Sequence, residues 1–314
     1  MRFPPLAAFF YLHAYHGLMP ELPDITVYVE SIATRVVGAQ LQAIELAHPF
    51  LLRTVAPPAS ALIGHRATEV RRIGKRIAIG LEGGYWIVIH LMIAGRLHWL
   101  AGARRARGRG ALARFVFDSG MLTLTEAGSK RRACVWFLEG EAALAALDPG
   151  GLEVLMAPLE AFAARLRAGN HTLKRALSDP HAFSGIGNAY SDEILHRARL
   201  SPLAMTGKLE PAQVRALFEA SREVLSEWTT RLRAEAGEEF PEGVTAFREG
   251  MAVHGRYGKP CPVCGTAVQR IRYAANETNY CPRCQTGGRV LADRALSRLL
   301  KDDWPRDIEE LERR

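Results

Sequence analysis

Four cysteines near the C-terminus restrict the fold of this chain more than any other feature. They are Cys261, Cys264, Cys281 and Cys284, spaced C-x2-C-x16-C-x2-C. Two residues between paired cysteines let both thiolates bind one ion, and two such pairs complete a tetrahedral zinc site. A disulfide pair in a secreted protein is the alternative, but the chain has only one other cysteine, Cys134. The spacing therefore predicts a zinc ribbon with a structural zinc ion, in a reducing compartment.

Composition indicates a globular chain with a basic excess. The 314 residues include 41 Lys and Arg against 33 Asp and Glu, a net charge of +8, with 48% hydrophobic and 24% charged residues. These values exclude global disorder and suit about two domains. No apolar run approaches the ~18 residues that a membrane-spanning helix needs, so no membrane partner is expected. The basic excess favours a polyanionic partner.

Residues 1–18 differ in character from the rest of the chain. They are apolar and aromatic but contain Pro4 and Pro5, and no small-residue cleavage site comes after them, so they make a poor signal peptide. From Met19 the chain reads Met-Pro-Glu-Leu-Pro-Asp. We predict that Met19 is the true start or that the extension before it is disordered. A cytoplasmic protein is expected.

The periodicity of apolar residues changes twice along the chain. Residues 23–38 have helical spacing, with Asp24 as a candidate cap. Alternating and β-branched runs then predict seven strands, at residues 41–46, 68–81, 85–92, 97–100, 114–117, 121–125 and 134–138. Heptad-like spacing predicts helices at residues 157–168, 188–197 and 211–235. This order predicts an antiparallel sandwich or barrel, then a helical domain, then the zinc ribbon.

The segment 101–114 is rich in arginine. From Arg96 to Arg114 there are six arginines and no acidic residue, set among glycine and alanine. A solvated hairpin loop is one interpretation. The other is an arm that contacts phosphates, because arginines that neutralise backbone phosphates release counterions.

Pro20 and Glu21 are a candidate nucleophile and proton carrier. If Met19 starts the chain and is removed, Pro20 has a free secondary amine, which attacks aldehyde carbons to form an iminium. The neighbouring carboxylate of Glu21 is suited to move the protons of that reaction. A plain N-terminal turn is the alternative, so this tripeptide needs support from the rest of the chain.

Three further features give that support. Lys75 lies in RRIGKR within a β-rich run, where an ordinary strand lysine is the alternative. In GIGNAYSDEIL, glycines precede a helix that begins at Asn188, so free backbone N–H groups make either an anion site or a simple cap. The ribbon is basic, which suits binding along a duplex. Its basic residues are Arg256, Lys259, Arg270, Arg272, Arg283 and Arg289.

The motifs PELPD, RRIGKR, GIGNAYSDEIL and the C-terminal ribbon, in this order, resemble the Fpg/Nei family of DNA glycosylases from Met19 to about Gln285. The resemblance implies excision of oxidised bases and then strand cleavage through β,δ-elimination. It also implies an α+β multidomain fold, with an N-terminal two-layer antiparallel β-sandwich and leading helix, a helix–two-turn–helix (H2TH) domain and a C-terminal zinc finger. The expected partner is double-stranded DNA containing oxidised bases or abasic sites, so association with the nucleoid through DNA is expected.

The same resemblance assigns the catalytic residues. Pro20 matches the N-terminal proline that attacks the sugar C1′ of the damaged nucleotide. Glu21 matches the carboxylate that protonates the sugar ring oxygen and assists elimination. Lys75 matches the lysine that contacts phosphate near the substrate. The four ribbon cysteines match the zinc ligands.

It also assigns DNA-binding residues, with departures from the family pattern. Asn188 and Lys174 match residues that bind phosphates. Asn276 stands where the finger usually carries an arginine, so weaker binding by the finger is expected. The wedge that fills the gap left by a flipped base lacks its aromatic residue, and Arg131 and Arg132 are expected to replace it in part. These departures leave the preferred lesion, oxidised purine or oxidised pyrimidine, open.

We expect a monomer with five segments. Their bounds are 1–19 for the extension, 20–145 for the sandwich, 146–250 for the H2TH domain, 251–289 for the finger and 290–314 for a helical tail. Two other functions stay open at this point. One is a non-catalytic protein that binds damaged or abasic DNA on the same scaffold, and the other is a zinc-ribbon protein that binds RNA.

Overall fold

The computed structural model describes residues 19–102, 110–127, 132–242, 248–273, 276–292 and 305–313. The N-terminal extension, Arg131 and most of the arginine-rich segment fall outside these ranges. Within them, no helix combines the length and the apolar character needed to cross a membrane.

The leading helix α1 (Leu22–Val36) begins directly after the proposed nucleophile and its carboxylate. Its N-cap is Glu21, and the Asp24 carboxylate accepts the Glu21 backbone N–H at 2.8 Å. The prediction of Asp24 as the cap was therefore wrong, because Asp24 is the returning acid of the capping box and Glu21 is the cap. The buried face, which includes Tyr28 and Ile32, fixes α1 against the sandwich.

Eight strands form two antiparallel sheets. One contains β2 (Ala67–Ile73), β3 (Arg76–Leu81), β4 (Tyr85–His90) and β8 (Cys134–Glu139), in the order β2-β3-β4-β8. The other contains β1 (Leu41–Leu46), β5 (Gly95–Ala101), β6 (Ala111–Phe117) and β7 (Gly120–Glu126), in the order β1-β6-β7-β5. One core joins the two sheets through buried residues that include Ile77, Ile89, Phe115 and Phe137. The predicted two-layer sandwich is confirmed.

The strand predicted over residues 68–81 is two strands joined by a turn. Gly74 has φ +57°, a left-handed conformation that glycine adopts without strain, and it breaks the run between β2 and β3. Lys75 therefore lies in the turn and not inside a strand. In the neighbouring ladders, Arg76 pairs with His90 and His90 with Cys134, so the turn and the start of β8 share one end of the sheet.

The helical domain comes after the sandwich. Its helices are α4 (Leu159–Arg167), α5 (Leu173–Ser178), α6 (Asn188–Arg197) and α7 (Pro211–Ala236). Two short helices belong to the sandwich: α2 (Ala59–Leu62) precedes β2, and α3 (Glu141–Ala145) packs its Leu144 against the sheet that contains β8. The predictions for α4, α6 and α7 are confirmed within two residues, whereas α5 is too short to show a helical period. Leu22 and Val27 of α1 are buried in the same core as Phe162 and Trp228, so α1 joins the two domains.

The finger and tail complete the fold. The finger contains the hairpin β9 (Gln269–Tyr273) and β10 (Asn276–Tyr280) and the helix α8 (Pro282–Thr286), and α9 (Ile308–Glu312) lies in the tail. The tail returns to the finger, since the Val290 N–H donates to the Arg306 carbonyl at 3.0 Å and the Ile308 N–H to the Gly288 carbonyl at 3.0 Å. Residues 293–304 of the predicted helical tail lie outside the described residues.

Candidate active site and zinc centre

The N-terminus of α6 holds the side chain of Glu21. One carboxylate oxygen accepts the Gly187 N–H at 2.7 Å and the Tyr190 N–H at 3.2 Å, and the other accepts the Ala189 N–H at 2.8 Å. Glu21 is 2% exposed. The unpaired amides of a helix N-terminus favour an anion. The predicted anion site is therefore occupied by the chain's own Glu21 carboxylate.

Gly187 allows this close approach. A side-chain carbon at this position would lie 2.6 Å from the Glu21 carboxyl carbon and would overlap the Lys75 ammonium nitrogen. Both groups therefore lie against the Gly187 backbone. Gly185, two residues before Gly187, has φ +76°. Its carbonyl accepts the Leu22 N–H at 2.9 Å, which ties the start of α1 to this turn.

Lys75 is half-buried and lies near charges of both signs. Burial lowers the pKa of Lys75, and the nearby positive charge of Lys174 lowers it further. The carboxylates of Glu21 and Asp24 oppose this shift in the pKa. The structure thus brings Lys75 and Glu21 together, although they lie in different parts of the sequence.

His90 is a residue that the sequence analysis missed. Burial lowers its pKa to about 4, and the charges of Arg76 and Lys75 add to that effect. The ring is therefore neutral at neutral pH, beside two cations. The apolar run over residues 85–92 predicted a strand. It contained no signal that β4 ends at His90 or that this histidine lies near Lys75.

Asn188 and Lys174 lie at the junction with the finger. The Asn188 side-chain amide donates to the Glu277 backbone carbonyl at 2.9 Å. The Lys174 ammonium donates to the Asn188 carbonyl and to the Asp192 carboxylate, both at 2.5 Å. Both predicted phosphate-binding groups therefore have partners within the protein, and their binding of phosphate stays a prediction.

Of the other predicted catalytic and DNA-binding residues, the structure describes the side chains of Pro20 and Arg132 only. Pro20 is buried immediately before Glu21. Arg132 is exposed just before β8, and its backbone N–H donates to the Glu126 carboxylate at 2.9 Å. Arg131 and the side chain of Asn276 lie outside the described residues.

The finger is held by two carboxylates of α6. Asp192 is fully buried, and it accepts from the His254 ring at 2.7 Å and from the Asn279 N–H at 3.0 Å. Glu193 accepts the backbone N–H groups of residues 252, 253 and 254 at 2.7–2.9 Å. Sequence reasoning missed both residues because they lie in a motif already interpreted as a helix start.

The four cysteines of the finger form a cluster that fits zinc. Their sulfur atoms all lie within 4.8 Å of one another, with Cys264 and Cys281 3.4 Å apart and Cys261 and Cys284 4.0 Å apart. A tetrahedron with Zn–S bonds of ~2.3 Å places the sulfurs about 3.8 Å apart. The cluster is the one group of this kind among the described residues. It is the structural zinc site that the spacing predicted.

The helical domain and the four-cysteine finger meet at α6, and the Lys75 turn of the sandwich lies against its N-terminus. This arrangement and the family models that match it place the chain among the zinc-finger DNA glycosylases of base excision repair. The family models agree over most of the chain: Formamidopyrimidine-DNA glycosylase N-terminal domain over residues 19–136, its H2TH domain over 151–233, and the zinc finger found in FPG and IleRS over 258–287. The chain belongs to the formamidopyrimidine-DNA glycosylase family.

Several relatives match this chain over nearly their whole length. The formamidopyrimidine-DNA glycosylase of Acidovorax sp. is 34% identical over 278 residues, covering 85% of this chain and 99% of its own. The enzyme of Variovorax paradoxus is 32% identical over 276 residues, covering 85% and 100%. An uncharacterized formamidopyrimidine-DNA glycosylase-like protein of Mycobacterium tuberculosis is 47% identical over 157 residues, which are 50% of this chain and 95% of that protein.

Solved structures agree with the fold. MutM (Fpg) from Thermus thermophilus is 30% identical with a TM-score of 0.70, covering 85% of this chain and 98% of its own. Lactococcus lactis Fpg in complex with an abasic site containing DNA has a TM-score of 0.75 at 24% identity, covering 85% and 99%. The second comparison supports the fold alone.

Proposed function

We propose that this protein is a bifunctional DNA glycosylase and abasic-site lyase that excises oxidised bases from duplex DNA through a Schiff base on Pro20. The observation that carries the proposal is the position of the Glu21 carboxylate. It comes directly after Pro20, is held by three amides of α6 and lies beside Lys75.

In the proposed reaction, the Pro20 nitrogen attacks C1′ of the damaged nucleotide. The new N–C1′ bond forms as the bond between C1′ and the base breaks. The Pro20 N–H proton passes to the Glu21 carboxylate, and the departing base takes a proton from water. Ring opening then breaks the C1′–O4′ bond, O4′ takes a proton from Glu21, and C1′ becomes an iminium carbon. Loss of a C2′ proton expels the 3′ phosphate, and a second elimination expels the 5′ phosphate.

The surroundings of Glu21 suit proton transfer in this scheme. Its oxygens are fixed by backbone donors, so the carboxyl group needs no reorientation during the reaction. Positioned side chains that transfer protons contribute about 10²–10⁴-fold to a rate. Lys75 and His90 lie at the same end of the sheet, where the ammonium group and the neutral ring are proposed to bind the phosphates that flank the lesion.

A cavity between α1 and the end of α7 is proposed to receive the flipped base. It has a volume of about 280 Å³, and its lining includes Asp24, Leu232, Phe240 and Arg248. Asp24 links it to the site because it accepts the Glu21 N–H and pairs with Arg248. Chemistry at C1′ requires the base outside the stack, at a cost of a few kcal/mol.

Borohydride trapping on abasic-site duplex DNA tests the proposal. The form that begins at Met19, with this methionine removed, should give a covalent adduct that mass spectrometry places on Pro20. The full 314-residue chain is the matched control, because its Pro20 nitrogen lies within a peptide bond and has no free amine.

Tight binding of the abasic duplex by the Met19 form, without any adduct, would favour the alternative, a non-catalytic DNA-binding protein. Excision assays over a panel of oxidised purines and pyrimidines then identify the substrate of an active protein. Native intact mass shows which of the two N-termini the cell produces.

A further inference from the structure

The end of α6 that lies away from Glu21 contacts the zinc centre through His196. This residue is in the last turn of α6 and is 7% exposed. Its Nε2 atom lies 3.3 Å from the Cys261 sulfur, although the two residues are 65 positions apart in sequence. The set of ligand atoms within 4.8 Å of one another contains only the four cysteine sulfurs among the described residues. His196 therefore lies outside the coordinating set and against one member of it.

The sulfur of Cys261 has few other sources of stabilisation. The Cys284 N–H points at the Cys281 sulfur at 3.5 Å, and Thr266 donates to Cys264. For Cys261, the described residues offer no N–H donor at hydrogen-bonding distance besides the His196 ring. Cys261 is also 2% exposed, so water does not replace that donor.

A zinc ion bound by four thiolates carries a net charge of −2. In a buried environment this charge is costly unless N–H groups donate to the sulfurs. A neutral imidazole with its proton on Nε2 supplies such a donor, and outer-shell donors of this kind fix ligands and tune metal binding.

We propose that His196 is an outer-shell residue of the zinc centre, which donates its Nε2–H to the Cys261 thiolate and strengthens zinc binding. The contact also joins the finger to the helix that holds Glu21. The inference rests on the zinc site alone and is independent of the proposed lyase chemistry.

A matched pair of variants separates hydrogen bonding from packing. His196→Gln keeps a side-chain N–H donor, whereas His196→Leu keeps the buried volume without a donor. His181→Leu, at an exposed histidine of the same domain, is the control. Zinc affinity of each purified full chain is measured by competition with a chromogenic chelator, and the cobalt-substituted proteins give the sulfur-to-cobalt charge-transfer spectrum.

We expect His196→Leu to bind zinc roughly 10–100-fold more weakly than the unmodified protein. Its charge-transfer band should move to lower energy, because a thiolate without its hydrogen bond gives up electrons more readily. His196→Gln should stay close to the unmodified protein in both measurements.

Equal zinc affinities and equal cobalt spectra for the Leu and Gln variants would overturn the proposal. A Leu variant that fails to fold leaves the Gln variant as the test. In that case, a Gln variant with weakened zinc binding and a shifted band contradicts the proposed donor role.

Discussion

The N-terminus and the body of α6 hold their partners in opposite ways. At its N-terminus, the helix backbone donates three N–H groups to the side chain of Glu21. Along its body, the side chains of Asp192 and Glu193 accept N–H groups from the finger backbone. The first arrangement depends on main-chain geometry, and the second depends on two carboxylates. The Glu21 site should therefore tolerate most side-chain changes in α6, whereas the contacts with the finger should not.

The largest expected effect comes from Glu21→Gln. Loss of the proton-transferring carboxyl group should lower single-turnover base excision by about 10²–10⁴-fold. Zinc content should be unchanged, because the contacts between α6 and the finger are intact. Glu30→Gln, on the part of α1 that faces Arg233, is the control. A loss below about tenfold would show that Glu21 is not the proton carrier, since a positioned proton donor contributes more than that.

Asp192→Ala tests the contacts between α6 and the finger. Removal of one partner of a buried ion pair costs about 3–5 kcal/mol, here because Lys174 loses its carboxylate. We expect a fall of this size in the free energy of unfolding, measured by urea denaturation, together with weaker DNA binding. The double variant Lys174→Met, Asp192→Ala should recover part of the loss. If the double variant is no more stable than the single one, the buried charge is not the cause.

Gly187→Ala should disturb the packing around the Glu21 carboxyl group. The added methyl group meets the Glu21 carboxyl group and the Lys75 ammonium group, and overpacking of this kind costs about 1–3 kcal/mol. We expect a lower melting temperature and slower excision, with zinc affinity unchanged. Gly207→Ala, where the neighbour is the Asn170 side chain at 3.1 Å, is the control. Equal effects at both glycines would remove the argument for a tightly fitted carboxylate.

The smallest expected effect at neutral pH is that of His90, which acts on the pH dependence of stability. The pKa of His90 is about 4 in the folded chain against an ordinary value of 6.5, so between these pH values the unfolded chain binds the extra proton. Stability should therefore fall as the pH drops from 6.5 to 4. His90→Asn should make this fall shallower by about 1 kcal/mol per pH unit. Identical slopes for both proteins would mean that His90 titrates normally.

Elements with a characteristic residue spacing or composition of their own were predicted correctly from the sequence. The cysteine spacing identified the zinc site, and the glycines before Asn188 marked the start of α6. The break at Gly74 was missed because the alternating apolar run continues on both sides of it, and this placed Lys75 inside a strand. A six-residue helix such as α5 contains less than two turns, so no periodicity identifies it.

Contacts between distant segments had no local signal. The sequence left an anion site and a simple cap both open at the start of α6, and nothing near it indicated that Glu21 is the group bound there. Asp192 and Glu193 look like ordinary polar residues of an amphipathic helix, and only the folded chain shows them buried under the finger. The pairing of Lys174 with Asp192 is likewise invisible until α5 and α6 are packed.

The carboxyl group and its three amide donors belong to different halves of the polypeptide, separated by 166–169 positions. Neither half carries a complete reaction centre. A gene split between the sandwich and the helices would yield two inert products, and turnover would return only on their reassociation.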